Sequence, residues 1–189
     1  MSDIRVDEQL NLVLPVKRPD GKTYHIHSTP ISAQIFADHY EPIARVFNKL
    51  YAGGIGMLAG PRVSFHILRD LCTKNETWDG PNGVENTLCS EIWRLTNVLI
   101  PGTNGWDLIP FQDVMRKNIF TPRELDEVQN ILIFFTVNFS MHKAEVMRFV
   151  MQTSQGTWDA RVTPLNFMGF KNSLVTPIEE GNTGETAKA

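Results

Sequence analysis

The 189-residue chain sets 18 Lys and Arg against 21 Asp and Glu, for a formal net charge of −3 and a pI near 5.9. With 42% hydrophobic and 21% charged residues it reads as one globular domain with enough core to need no covalent staple. Nothing in the balance argues for the clustered basic footprint of a nucleic-acid binder, and two cysteines, Cys72 and Cys89, exclude a disulfide framework.

The acidic start, MSDIRVDEQL, has no apolar core of the kind a signal peptide needs, and residues 1–9 are expected to fray. Leu10, Leu12, Leu14 and Val16 then alternate with Asn11, Val13, Pro15 and Lys17. Arg18-Pro19-Asp20-Gly21 supplies turn chemistry, and Thr23–His27 alternates again, so residues 10–28 predict a β-hairpin. Pro15 has no N–H to donate, which places it on an edge or at a bulge.

The remainder predicts helices. Ser28-Thr29-Pro30 reads as a cap and first turn, with a helix from about Ile31 that Pro42 kinks or restarts. Ile43, Val46, Phe47, Leu50 and Tyr51 keep the helical spacing until Gly53-Gly54. Gly60-Pro61 opens the next helix, with Val63, Ile67, Leu68 and Leu71 inward. A further helix from about Val84 carries Leu88, Ile92, Leu95 and Leu99 as far as Pro101-Gly102. In WDLIPF, Asp107 can cap while Trp106 staples onto Phe111.

Thr121-Pro122-Arg123-Glu124 is a capping box with Pro just inside it. It opens a helix that is apolar all round at Ile131–Phe135, which predicts a buried central element continuing, with a break near Ser140, to about Gln152. The run Ile131–Val137 is far shorter than the roughly 20 residues of a membrane span. Thr163-Pro164 predicts a last short helix through Phe170, and 177–189 a polar, disordered tail. The expected fold is mainly α: an N-terminal hairpin, five or six helices, a central helix near 122–152, and one domain over 10–176.

Three features bear on chemistry. Gly54, Gly56 and Gly60 lie one residue off a dinucleotide fingerprint, but the segment before them is helical and no Lys-Ser or Lys-Thr follows, so Gly53–Gly60 reads as an inter-helix turn. His25 and His27 share one strand face, as metal-binding pairs do, with His39, Glu41 and His66 as further donors, though no spacing supports a site. Asp70 could pair with His66 on one helix face. The three Trp-Asp pairs at 78, 106 and 158 lack a propeller's period and read as caps at loop edges. No catalytic constellation is legible, so the chain is expected to be no enzyme and to hold no cofactor and no metal. Met141, Met147 and Met151, with Phe149, crowd the end of the long helix. They suit either a core or an adaptable partner-binding groove.

The phrases LVLPVKRPDGKTYHIHSTPIS, AGPR, GVEN, EIWRLTNVLIPG, FFTVNFSMHKAE and LNF occur in this order over residues 10–170. Together they resemble the tail assembly chaperones of long-tailed bacteriophages. The resemblance implies a non-enzymatic helper in the host cytoplasm, absent from the mature virion. Its partners would be the tape-measure protein, which it keeps soluble, and tail-tube subunits, which it recruits. It also implies a frameshifted longer form with a different C-terminal tail. Neither nucleic acid nor membrane is an expected partner, and strand addition at the hairpin edge offers a route to self-association. The rival readings are a metal- or nucleotide-dependent enzyme using His25 and His27 or the Gly53–Gly60 loop, and a small helical DNA-binding regulator.

Overall fold

A computed structural model describes residues 9–175; the expected frayed start, Gln9 apart, and the polar tail lie outside them. The hairpin forms as its sequence demands, with β1 at Asn11–Lys17, β2 at Thr23–Ser28 and Gly21 at φ +82° in the turn. It does not stand alone. Strands β3 (Thr96–Gly102), β4 (Gly105–Pro110) and β5 (Arg161–Thr163) join it in an antiparallel sheet of order β4-β3-β2-β1-β5. The protein is therefore a mixed α/β fold, 56% helical and 18% strand, rather than the mainly α fold expected.

Two physical causes account for the difference. Leu88, Ile92, Leu95 and Leu99 fit a helical period, yet the helix stops at Arg94. Thr96, Val98 and Ile100 then alternate with Asn97, Leu99 and Pro101, and the β-branched residues favour the pleat. Gly102 pairs with Gly105 around a tight two-residue β-hairpin turn, Thr103-Asn104, and Gly105 beside it takes φ +123°. Trp106 and Asp107 belong to β4 and do not cap or staple; Pro110 precedes the helix that follows. Strand β5 is three residues long and owes its existence to β1, through Asn11↔Thr163 and Val13↔Arg161. Because Arg18 N–H donates to the Lys22 carbonyl, hydrogen-bonded pairs along β1 and β2 fall on even positions of β1. Pro15 thus turns its nitrogen away from β2, onto a stretch beyond the end of β5. That is the edge position its missing N–H requires.

Eight α-helices are present among the described residues. The first is α1 (Ala33–Asp38), capped by Ser32 rather than Ser28, whose hydroxyl is instead buried against Thr96 at 2.8 Å. Then α2 (Tyr40–Ala52) restarts with Pro42 in its first turn and ends at Gly53. Helix α3 (Gly56–Lys74) begins four residues before Gly60 and carries Pro61 inside it. A π-helical turn at Glu85–Cys89 leads into α4 (Ser90–Arg94), followed by α5 (Phe111–Arg116). The capping box opens α6 (Pro122–Met141), and α7 (Ala144–Trp158) follows a break at His142. Last is α8 (Phe167–Ser173), capped by Asn166, not by Thr163.

Helix α6 is the buried central element that its all-round apolar sequence predicts, with Ile131–Asn138 buried without interruption. It packs closely on α3 because Gly60 has no side chain: a Cβ there would lie 2.6 Å from the Phe134 ring. Two asparagines on α6 satisfy polar groups in this layer. Asn130 Oδ1 accepts the mid-helix Phe65 N–H at 2.9 Å, and Asn138 Oδ1 accepts the Tyr51 hydroxyl. The hairpin turn is pinned to the start of α6. Arg18 lies against the Tyr24 and Phe120 rings and pairs with Glu124, which also receives the Thr121 N–H at 2.8 Å.

The sheet has two unlike faces. Leu12, Leu14, Ile26 and Val98 point forward into one core with the residues of α2, α3, α6 and α7. Val13 and Leu99 point backward, into a separate small cluster with Phe170.

Candidate functional site

The back face follows from strand periodicity. Cross-strand pairs share a side of the sheet, so Val13↔His27, Pro15↔His25, His25↔Leu99 and Leu99↔Leu108 form a continuous surface, with Trp106 opposite Pro101 at its edge. The cover on this surface is α8. Phe167, Phe170 and Leu174 recur at i, i+3 and i+7 and point at the sheet. Phe170 is 3% exposed, its ring 6.0 Å from that of His25 and 5.8 Å from that of His27. Phe167 meets His27 edge-on at 5.7 Å, and Trp106 meets His25 at 5.0 Å.

Side-chain donors fasten both ends of this segment. Before the helix, Asn11 Nδ2–H donates to the Leu165 carbonyl at 3.1 Å, and His27 Nε2 lies 3.1 Å from the same oxygen. A carbonyl only accepts, so His27 carries its proton on Nε2. After the helix, Trp106 Nε1–H donates to the Val175 carbonyl at 3.1 Å. The Nδ1 atoms of His25 and His27 are buried without a hydrogen-bond partner among the described residues. Burial depresses both imidazole pKa values below the ordinary histidine value; the charge of Arg161 adds to this at His25, and the Leu165 carbonyl opposes it at His27.

Around this cover the apolar surface continues into solvent. Leu165, Met168 and Val175 are exposed on and beside α8, and Leu108 is exposed on β4, one cross-strand layer from Trp106. Met168, more than half exposed at 58%, brings a polarizable side chain that adapts to apolar partners of varied shape.

The sequence-expected groups fall elsewhere. Met147 and Met151 are buried in the main core and Met141 is partly buried against it, while Phe149 stands 61% exposed on α7 near exposed Val146. Met141, Met147, Phe149 and Met151 thus divide between interior and surface and do not line one groove. The glycine turn joins α2 to α3, with Gly54 and Gly56 at positive φ and Gly60 within the helix, so no strand delivers a phosphate to it. His66 pairs with Asp126 at 3.0 Å and Asp70 with Lys74 at 2.7 Å, not with each other. His39 lies at the junction of α1 and α2, away from the strand pair. Among the described residues no three His, Cys, Asp or Glu side chains gather as a metal site. Cys72 and Cys89 are buried, and burial pushes both thiols up, away from the thiolate form. Trp158-Asp159 ends α7, with Asp159 in the left-handed region at φ +55°, so this pair closes a helix rather than opening one.

A cleft of about 310 Å³ lies between β1 and the ends of α6 and α7, lined by Pro15, Lys17, Glu124, Glu127, Trp158 and Asp159 among others. Its charges are already paired, Lys17 with Asp159, Arg18 with Glu124 and Arg123 with Glu127.

Asn11, Trp106, Leu108, Leu165, Phe167 and Phe170 escape the reading of the sequence as site residues. Two signals for them were present: Asn104-Gly105 between apolar runs, and Asn166 followed by Phe167, Phe170 and Leu174 at helical spacing. No family model matches this chain, and no curated protein or solved structure matches it significantly.

Proposed function

We propose that this protein is a non-enzymatic tail assembly chaperone of a long-tailed bacteriophage, holding an apolar, helical tape-measure protein in solution and bringing tail-tube subunits to it. The observation that carries this reading is the cluster of exposed apolar side chains on one side of the molecule, Leu108, Leu165, Met168 and Val175, around a helix-bearing sheet face. Exposed apolar residues that gather rather than scatter mark an interaction surface. The order of sequence phrases over residues 10–170 supplies the class of client. On this reading the protein acts in the host cytoplasm and is absent from the mature virion. Self-association by strand addition would use β4, because the outer sides of the hairpin strands are taken by β3 and by β5.

The test is co-expression with a tape-measure protein of the same phage. The client's soluble fraction rises with the chaperone present and returns to the baseline with Leu108→Asp plus Met168→Asp, a variant that alters exposed positions only. A client equally insoluble with and without the chain sinks the proposal. So does a double variant that solubilises it as well as the parent.

A further inference from the structure

We propose that the back face of the sheet is a groove for an amphipathic helix of a partner, and that α8 is its resident occupant, displaced when the partner docks. The proposal deepens the reading of this side as client-facing and rests on it. What α8 shows is the chemistry the groove accepts: large apolar side chains at i, i+3 and i+7, between two main-chain carbonyls held by Asn11 and His27 at one end and Trp106 at the other. Donors that grip carbonyls read the backbone, which every segment has.

Three features make α8 replaceable. Seven residues are too few to be helical in isolation, so α8 is ordered by the face it covers and not by its own propensity. Its inward residues form a cluster of their own and do not merge with the main core, so the sheet can keep its front packing when α8 leaves. And α8 leaves the buried Nδ1 atoms of His25 and His27 unpartnered. With its proton on Nε2, His27 presents Nδ1 as an acceptor. A partner helix that matches the apolar spacing and adds a hydroxyl or amide donor near these rings satisfies what α8 does not. The partner class is therefore an amphipathic helix with aromatic or aliphatic residues at i, i+3 and i+7 and a small polar donor between them.

Two measurements on the full chain decide it, and neither involves the tape-measure protein, so their failure is separate from failure of the co-expression test. In hydrogen exchange, the amides of Phe167–Leu174 exchange at least ~100-fold faster than those of β2 and β3, reporting an opening that spares the sheet. A labelled synthetic peptide of residues 164–175 binds the Phe170→Ala chain at least ~10-fold tighter than the parent chain, because the tethered competitor is weakened. The same peptide carrying Phe170→Ala does not bind. Protection of α8 equal to that of β2 and β3 overturns the proposal. It also falls if the Phe170→Ala chain keeps its sheet yet binds the peptide no better than the parent, or if that substitution unfolds the whole protein.

Discussion

On the front of the sheet, Leu12, Leu14, Ile26 and Val98 merge into a core that runs through α2 to α7, and α6 is buried over nine consecutive residues, Asn130–Asn138. On the back, Val13 and Leu99 share one small cluster with Phe170 beneath a two-turn helix. Both faces consist of the same five strands, and both hold a fully covered phenylalanine against a neighbour. What differs is how many other groups must move if that phenylalanine leaves. Burial by itself does not measure how firmly an element is held; the connectedness of the cluster it joins does.

The sharpest way to break the comparison is to truncate a phenylalanine on each side. Phe134→Ala empties the site against Gly60 and is expected to cost about 3–5 kcal/mol of unfolding free energy, read as a lower urea midpoint at unchanged slope. Asn130→Ala comes next, at about 2–3 kcal/mol, because it empties a fully buried site and removes two hydrogen bonds, from the Phe65 N–H and to the Asp126 carbonyl. Phe170→Ala is expected to cost less than about 2 kcal/mol despite equivalent burial. Once α8 has let go, the remaining sheet and front core form a native state that the substitution no longer touches. The loss is therefore capped at the free energy of opening α8. Equal costs for Phe134→Ala and Phe170→Ala would mean that the two faces are one cooperative unit.

The same contrast governs how much of the structure could be read in the sequence. The capping box at Thr121–Glu124, the stop at Gly53-Gly54, the turn at Arg18–Gly21 and the buried character of α6 are signals written within a few residues, and each forms where those residues place it. Strand β5 is different. Arg161–Thr163 has no period of its own and becomes a strand because Val13, about 150 residues earlier, offers an edge. Helix α8 is likewise specified by the face beneath it. Leu99 shows a third case: it satisfies a helical spacing from Leu88 and a strand alternation from Asn97, and the pairing with His25 decides. The back-face site joins the legible hairpin, with Asn11, Val13, His25 and His27, to such contextual elements, and its cover was the hidden part, which is why the methionines at the end of α6 and along α7 drew attention in its place. Their spacing is a core pattern, and Met147 and Met151 occupy the core.

The smallest expected effect is a pH dependence in which the back face takes part. His25 and His27 have their folded-state pKa values lowered, chiefly by burial. The unfolded chain takes up these protons near the ordinary value of about 6.5, whereas the native chain resists them to lower pH. Stability is therefore full above about pH 6.5 and falls as the pH drops below it, through the window in which only the unfolded state is protonated. The neighbours confirm the sign: Arg161 repels a proton at His25, and the rings of Trp106, Phe167 and Phe170 offer no counter-charge. His39 and His142 shift in the same direction outside the back face, so acid weakens the whole protein slightly. The comparison is sharpened by His27→Gln, which keeps a donor for the Leu165 carbonyl and removes one titration. Urea midpoints for the parent are expected to fall between pH 7.5 and 5.5, and to fall less for His27→Gln. Hydrogen exchange at the lower pH, corrected for intrinsic rates, should show the added opening at α8 before it shows at β3. An acid-induced loss that begins in the front core instead would place the titrating groups elsewhere and remove the histidine pair from any part in holding α8.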